Sequence, residues 1–392
     1  MDQLDSIRQN AAGYPDTGNY VLDRDLDFNN PAHYSNGVID SATHIAGNGW
    51  QPINFNGVFD GNNHSISNYY IYRPAVFIDF IASSYPNFYD NAVVGTGFFK
   101  YNTGTIKNLQ LLKYKLIGFI DYLNGNMSYK FTSIGGAFVG FNSGTIDNCY
   151  ADGTIIFSNW ENYISGFVGK NNGLITNCGA KTSLYLSFVN GASAAPFGGF
   201  LLANLGSNKI KNCFSTVNIL GNYVLSENNR QYQGNYEPGA FVWADIHTGG
   251  DSILNCYTTN KVLNFAGSTN FLTYKKTNYQ DSNRTKYVNC YTPANYFSEV
   301  LLTVNNKLVA TFNSITNVTP SFTAANFGTA AAAYQFNNTF LPVLKNVENT
   351  RVLPFQIDTL KNLYFKDLNG TLTKQENKLY DYRIGSTVRI LP

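Results

Sequence analysis

The groups in this chain that could do chemistry are few and scattered. Four histidines occur, His33, His44, His64 and His247. His64 closes the segment Asp60-Gly61-Asn62-Asn63-His64, where Asp60 could hydrogen-bond to it across a turn. A carboxylate orienting an imidazole suits a general base, and is equally ordinary turn structure. Glycoside hydrolysis needs two carboxyl groups roughly 5–10 Å apart. A lyase needs a base with a neutralising cation or a metal. The acids outside turns are Asp79, Asp90, Asp121, Asp152, Glu161, Glu227, Glu237 and Asp245. Asp121 and Glu161 follow different repeats and could converge, but no spacing pairs them. No Gly-x-Ser-x-Gly elbow, phosphate-binding loop, His-Glu-x-x-His or Gly-Gly-x-Gly-x-Asp repeat is present.

The five cysteines share one local pattern. Each follows an asparagine: Asn148-Cys149, Asn177-Cys178, Asn212-Cys213, Asn255-Cys256 and Asn289-Cys290. No pair has the two-to-four-residue spacing of a zinc site, so no metal and no cofactor is expected. An odd number excludes complete pairing. Five buried free thiols acting as small hydrophobes are the expectation.

That pattern points to the elements that position everything else. Ile146, Ile175, Ile210 and Ile253 stand two residues before the Asn, and Ile66-Ser67-Asn68 and Ile106-Lys107-Asn108 keep the pattern without Cys. The seven Asn are 40, 40, 29, 35, 43 and 34 residues apart. Such recurrence marks units that stack on their neighbours. In one unit, Gly136-Ala137-Phe138-Val139-Gly140 reads as a strand, Asn142-Ser143-Gly144 as a turn whose residues tolerate positive φ, and Thr145–Tyr150 as a second strand bending near the Asn. Thr154-Ile155-Ile156-Phe157 is a third. Three short strands and tight turns in register describe one rung of a parallel β-helix. Parallel crossovers are right-handed in nearly all cases, so a right-handed coil is expected. The Asn at one corner can form an amide ladder, and the recurrent Phe and Ile fill the core.

Residues 1–18 read as a cap, with a short helix over Asp2–Asn10, Asp2 as its N-cap, and Leu4 and Ile7 on one face. The coil is expected over 19–346. Ala324–Phe336 is expected as another short helix and Leu341-Pro342-Val343-Leu344 as the last stacked strand. Residues 347–392 lose the signature and read as a small β module.

Composition narrows the function classes. Lys and Arg total 27 against 25 Asp and Glu, a net charge of +2, with no basic stripe, so nucleic acid is not an expected partner. No stretch approaches the ~20 apolar residues of a membrane-spanning helix, so no membrane insertion is expected. Met1-Asp2-Gln3-Leu4-Asp5 lacks an apolar signal core, which suits a processed chain or one exported without a signal. The 28 Tyr and 29 Phe with abundant Asn fit an extracellular, cell-surface or virion protein.

Several ordered segments resemble the GLUG-motif β-helix family of bacterial surface proteins. They are Trp50-Gln51-Pro52-Ile53, Phe59–Asn68, Gly166-Phe167-Val168-Gly169 and Gly173-Leu174-Ile175-Thr176-Asn177-Cys178, with the opening Leu4–Arg8 and Tyr20–Phe28 and the closing Leu341–Leu344. The resemblance covers roughly residues 3–346. It implies a parallel β-helix in secreted, adhesin-like or cell-wall proteins. Some members adjoin metallopeptidases, an activity whose motif this chain lacks.

The expected role is non-enzymatic recognition or adhesion toward a cell-surface glycan or protein. The candidate ligand-binding residues are Tyr122, Tyr129, Trp160, Tyr163, Tyr223, Tyr232, Tyr236 and Trp243, in or beside insertions rich in Asn and Gln. Flat aromatic faces with nearby amides suit sugar rings and protein epitopes. The alternatives are self-association into a fibre and a polysaccharide-degrading enzyme.

Overall fold

A computed structural model describes residues 1–40, 44, 49–74, 93–119, 133–158, 163–187, 197–205, 209–222, 239–245, 252–263, 270–275, 286–288 and 290–293, and short strands within 302–315, 334–344 and 363–375. The expected parallel β-helix is present. Three sheets of parallel strands run along the chain. In a typical rung the chain passes through Val139–Asn142 in the third sheet, Thr145–Asp147 in the first and Tyr150–Ser158 in the second. It then re-enters the third sheet at Tyr163–Ser165. Each strand pairs with its counterparts one rung away, as Thr145–Asp147 does with Thr105–Lys107 and Leu174–Thr176. Backbone groups that one rung could not satisfy alone are thus paired from both sides.

The corner between the first and second sheets is made by the recurrent Asn. Asn68, Asn108, Asn148, Asn177, Asn212 and Asn255 all take φ between 52° and 61°. Asn enters this left-handed region at lower cost than other side-chain-bearing residues. The reversal of direction there is why Ile146 and Cys149, of opposite parity, both point into the core and are fully buried.

The turn between the third and first sheets works differently from expectation. Gly104, Gly144 and Gly173 do not take positive φ. They are glycine because rungs touch there. A Cβ on Gly144 would lie 2.0 Å from the Gly104 carbonyl oxygen, and one on Gly173 would lie 2.2 Å from that of Gly144. Close backbone approach, not turn conformation, selects the residue.

The interior is filled by columns. Phe138, Phe167, Phe200 and Phe241 stack face to face with centroids 4.7, 4.8 and 4.8 Å apart, the spacing of the rungs themselves. Burying one such ring contributes about 1.5–3 kcal/mol. Where a column carries glycine, a ring from the next rung fills the space. Tyr114 lies under Gly153 and reaches Thr182, two rungs away, with Oη and Oγ1 2.9 Å apart.

Helix Asp2–Arg8 buries Leu4 and Ile7, as expected. Asp2 is not its cap. It sits in the first turn, and its carboxylate accepts from the Ser35 amide at 3.1 Å. Phe340–Leu344 is not a stacked strand either. It pairs antiparallel with Tyr334–Asn337, so strand replaces the expected helix at residues 334–336, and 324–333 lie outside the described residues. Within 347–392 an antiparallel pair joins Leu363–Lys366 to Leu372–Gln375.

Candidate functional site

Most of the coil's long connections fall between the second and third sheets, and later rungs also lengthen the third-to-first connection, at 246–251 and 276–285. The chain leaves the second sheet at Pro74, Phe119, Ser158, Ser187, Asn222 and Leu263. It returns to the third at Val93, Ser133, Tyr163, Phe197, Gly239 and Asn270. Phe119, Ser158, Ser187 and Asn222 are in mutual register, and Pro74 pairs with Phe119. Segments 75–92, 120–132, 159–162, 188–196 and 223–238 therefore spring from a single line, one per rung, while 264–269 leaves two residues earlier, Leu263 pairing with Leu220.

Most candidate residues belong to this line. Tyr122, Tyr129, Trp160, Tyr223, Tyr232 and Tyr236 fall within these segments, outside the described residues. Tyr163 begins the returning strand, in register with Ile134. Trp243 does not belong to an insertion. It lies within strand Gly239–Asp245, between Val242 and Ala244. Of the candidate acids, Asp79, Asp90, Asp121, Glu161, Glu227 and Glu237 also fall in these segments and outside the described residues.

Two acids lie on the coil. Asp152 stands in the second sheet with Oδ2 3.3 Å from Lys181 Nζ, one rung away. Burial pushes its carboxyl above the usual range, and Lys181 and the Tyr150 hydroxyl oppose that. Tyr150 is itself buried, in a row with Phe214 and Tyr257. A carboxylate held where ionisation is disfavoured suits proton transfer. Here it has one cation and no second carboxylate among the described residues. Asp245 is in register with Asn204 on one side and Lys275 on the other, which places it at a column position of the stack.

The described histidines serve the scaffold. His33 Nδ1 accepts from the Asp27 amide at 2.7 Å. His64 does not meet Asp60. Its Nδ1 lies 3.4 Å from Asp25 Oδ1, while Asp60 accepts from the Asn62 amide and Asn108 and pairs with Lys107. His44 Nε2 lies 2.8 Å from Asp5 Oδ2, a pairing across 39 residues with no local sequence signal. The ring is walled by Phe28, Tyr34 and Trp50, and Arg8 covers the outer face of the Trp50 ring while pairing with Asp5. This Asp–His pair fastens the helix to the first rungs. His247 lies outside the described residues.

The amides form ladders. Asn148 donates to Asn108 at 2.9 Å, Asn212 to Asn177 at 2.9 Å and Asn255 to Asn212 at 3.1 Å. The run is broken where acids intervene: Asn68, Asn108 and Asn177 donate to Asp27, Asp60 and Asp147. A second, fully buried ladder was not expected. Asn102 donates to Asn142 at 2.7 Å, Asn142 to Asn171 at 2.8 Å and Asn171 to Asn204 at 3.3 Å. The five cysteines are free and buried, as expected. Among the described residues no three of His, Cys, Asp and Glu converge on a point that could hold a metal ion.

No family model matches the chain, and no curated protein matches it in sequence. The GLUG-type resemblance therefore rests on the residues that carry it. Two solved structures are similar in fold. One is from Bacteroides ovatus and provisionally named an immunoglobulin A1 protease, at 16% identity over 85% of this chain and 87% of that one, with a TM-score of 0.46. The other is an IgA1 protease, at 15% identity over 90% of this chain and 25% of that one, with a TM-score of 0.45. At this distance neither likeness bears on the chemistry of this chain.

Proposed function

We propose that this protein is a surface-exposed recognition or adhesion module, on a cell or a virion. Its stiff coil holds a line of aromatic- and amide-rich segments toward a glycan or protein. One observation carries the reading: the connections that hold six of the eight candidate aromatics all spring from one in-register line of strand ends. Binding elements spaced by rungs of about 4.8 Å suit an extended ligand, each contact being weak and the sum strong. The same topology supports a second reading. The connections that follow those strand ends also carry, in sequence, Asp79, Asp90, Asp121, Glu161, Glu227 and Glu237, acids of the kind a glycan-cleaving site uses.

The test is incubation with a panel of bacterial and host glycans, scoring retained ligand and released oligosaccharide together. Retention without release, lost in Trp160→Ala and Tyr232→Ala, is the expected result. Release abolished by one carboxylate substitution, such as Glu161→Gln, would overturn recognition in favour of cleavage. Neither retention nor release on any glycan, with no retention on a host-protein array, would remove both.

A further inference from the structure

The cysteines take no part in that reading, and their placement has a chemistry of its own. The residues after them, Tyr150, Gly179, Phe214, Tyr257 and Tyr291, are in register from rung to rung. So are the residues two before them, Asp147, Thr176, Lys211, Leu254 and Val288. Cys149, Cys178, Cys213, Cys256 and Cys290 are therefore stacked in single file, each at most 1% exposed. Sγ of Cys149, Cys178, Cys213 and Cys256 donates to the carbonyl oxygen two residues earlier, at 3.3, 2.9, 3.2 and 3.3 Å. Sγ of Cys149, Cys178 and Cys290 lies 3.7, 3.8 and 3.4 Å from the carbonyl oxygens of Ile106, Ile146 and Ile253.

Successive parallel strands lie about 4.8 Å apart. Two metal–thiolate bonds of about 2.3 Å, laid end to end, span about 4.6 Å. A linear, two-coordinate ion thus matches the interval between successive thiols. A tetrahedral ion does not, because it needs four converging donors. Thiolates select soft ions, and the row lies in a dry interior where an unpaired charge is strongly disfavoured.

We propose that the cysteine column is a binding site for soft monovalent d10 ions, copper(I) or silver(I), held one per interval between successive rungs. Each ion entering displaces one thiol proton to solvent. The S–H bond breaks, the metal bonds to that sulfur and its neighbour, and no electron is transferred. Five thiols have four intervals. Four ions in and four protons out leave the column uncharged, with one S–H remaining.

The test is titration of the full-length reduced chain with silver(I) in chloride-free, oxygen-free buffer. Native mass spectrometry reads stoichiometry, ultraviolet thiolate-to-metal absorption reads the bond, and far-ultraviolet circular dichroism reads the fold. Four silver ions per chain with the β signal intact are expected. Cys213→Ala, in the middle, removes two intervals and should leave two ions. Cys290→Ala, at the end, removes one and should leave three. An equal loss in both variants overturns the proposal. So does uptake only with loss of the β signal, or no uptake even after refolding in silver(I). Cys213→Val, closer in volume, carries the same prediction if the alanine variant does not fold.

Discussion

Asn212 tests what the corner asparagines do. It holds φ at 55°, donates to Asn177 at 2.9 Å and accepts from Asn255 at 3.1 Å. Asn212→Ala places a Cβ in the left-handed region without the side chain's local hydrogen bonding, costing about 1–2 kcal/mol. It also removes two ladder bonds, each worth about 0.5–1.5 kcal/mol. The sum is about 2–5 kcal/mol. Asn212→Gly removes the same bonds but has no Cβ, so it should cost about 1 kcal/mol less than alanine. Asn212→Asp keeps the acceptor toward Asn255 and sets an oxygen against Asn177 Oδ1, a clash that acidification should relieve. Urea unfolding followed by circular dichroism ranks the three, and hydrogen exchange at the flanking rungs localises the loss. Alanine and glycine variants equal within about 0.5 kcal/mol would refute the backbone half of the reasoning. Both within about 0.5 kcal/mol of the parent would refute the ladder half.

Further outcomes are expected. Gly144→Ala should abolish soluble expression or sharply lower the melting temperature, because its Cβ would meet the Gly104 oxygen at 2.0 Å. Gly13→Ala, at φ 85° with open space around it, should cost only about 1 kcal/mol. Phe167→Ala, which breaks the ring column on both sides, should cost about 3–5 kcal/mol in urea unfolding, and Phe167→Leu less. Asp152 has its carboxyl raised by burial, so its ionised form opposes folding above the unfolded pKa. Asp152→Asn should therefore be neutral or stabilising at pH 7 and make no difference at pH 3. Burial also raises Cys178, Cys256, Tyr69, Tyr114, Tyr150 and Tyr257. Their contribution is fully present below the unfolded thiol value of about 8.5 and is lost as pH rises past it and then past about 10. The urea midpoint should hold from pH 7 to 8 and fall by pH 10.5.

The fold was legible because its signal is periodic. One such corner says little, but seven in order, five of them carrying Cys, place a strand, a bend and an inward side chain in every rung. What escaped is what only stacking creates. Asn142-Ser143-Gly144 reads locally as a turn, yet Asn142 is a buried ladder member and Gly144 a point of contact between rungs. No tripeptide announces that its neighbour lies 40 residues away. His64 was matched with Asp60 on sequence distance, while the stack offers Asp25. His44 finds Asp5 by the docking of the helix, which has no periodicity to read. The candidate site was legible as composition, aromatics and acids in the irregular segments. That these segments share one line became visible only with the register of the strand ends.

The glycine column has a consequence for how such a chain can change. Along it, from Gly57 to Gly173, consecutive backbones meet with no room for a methyl group, and in those rungs the connection from the third sheet to the first keeps two residues. At the insertion corner the five strand ends from Pro74 to Asn222 stay in register while connections range from the four residues of 159–162 to the eighteen of 75–92. Over those rungs one corner keeps the molecule's pitch while the other varies in length. Sequence drift there should therefore be lopsided around the coil, concentrated at the corner where length already varies.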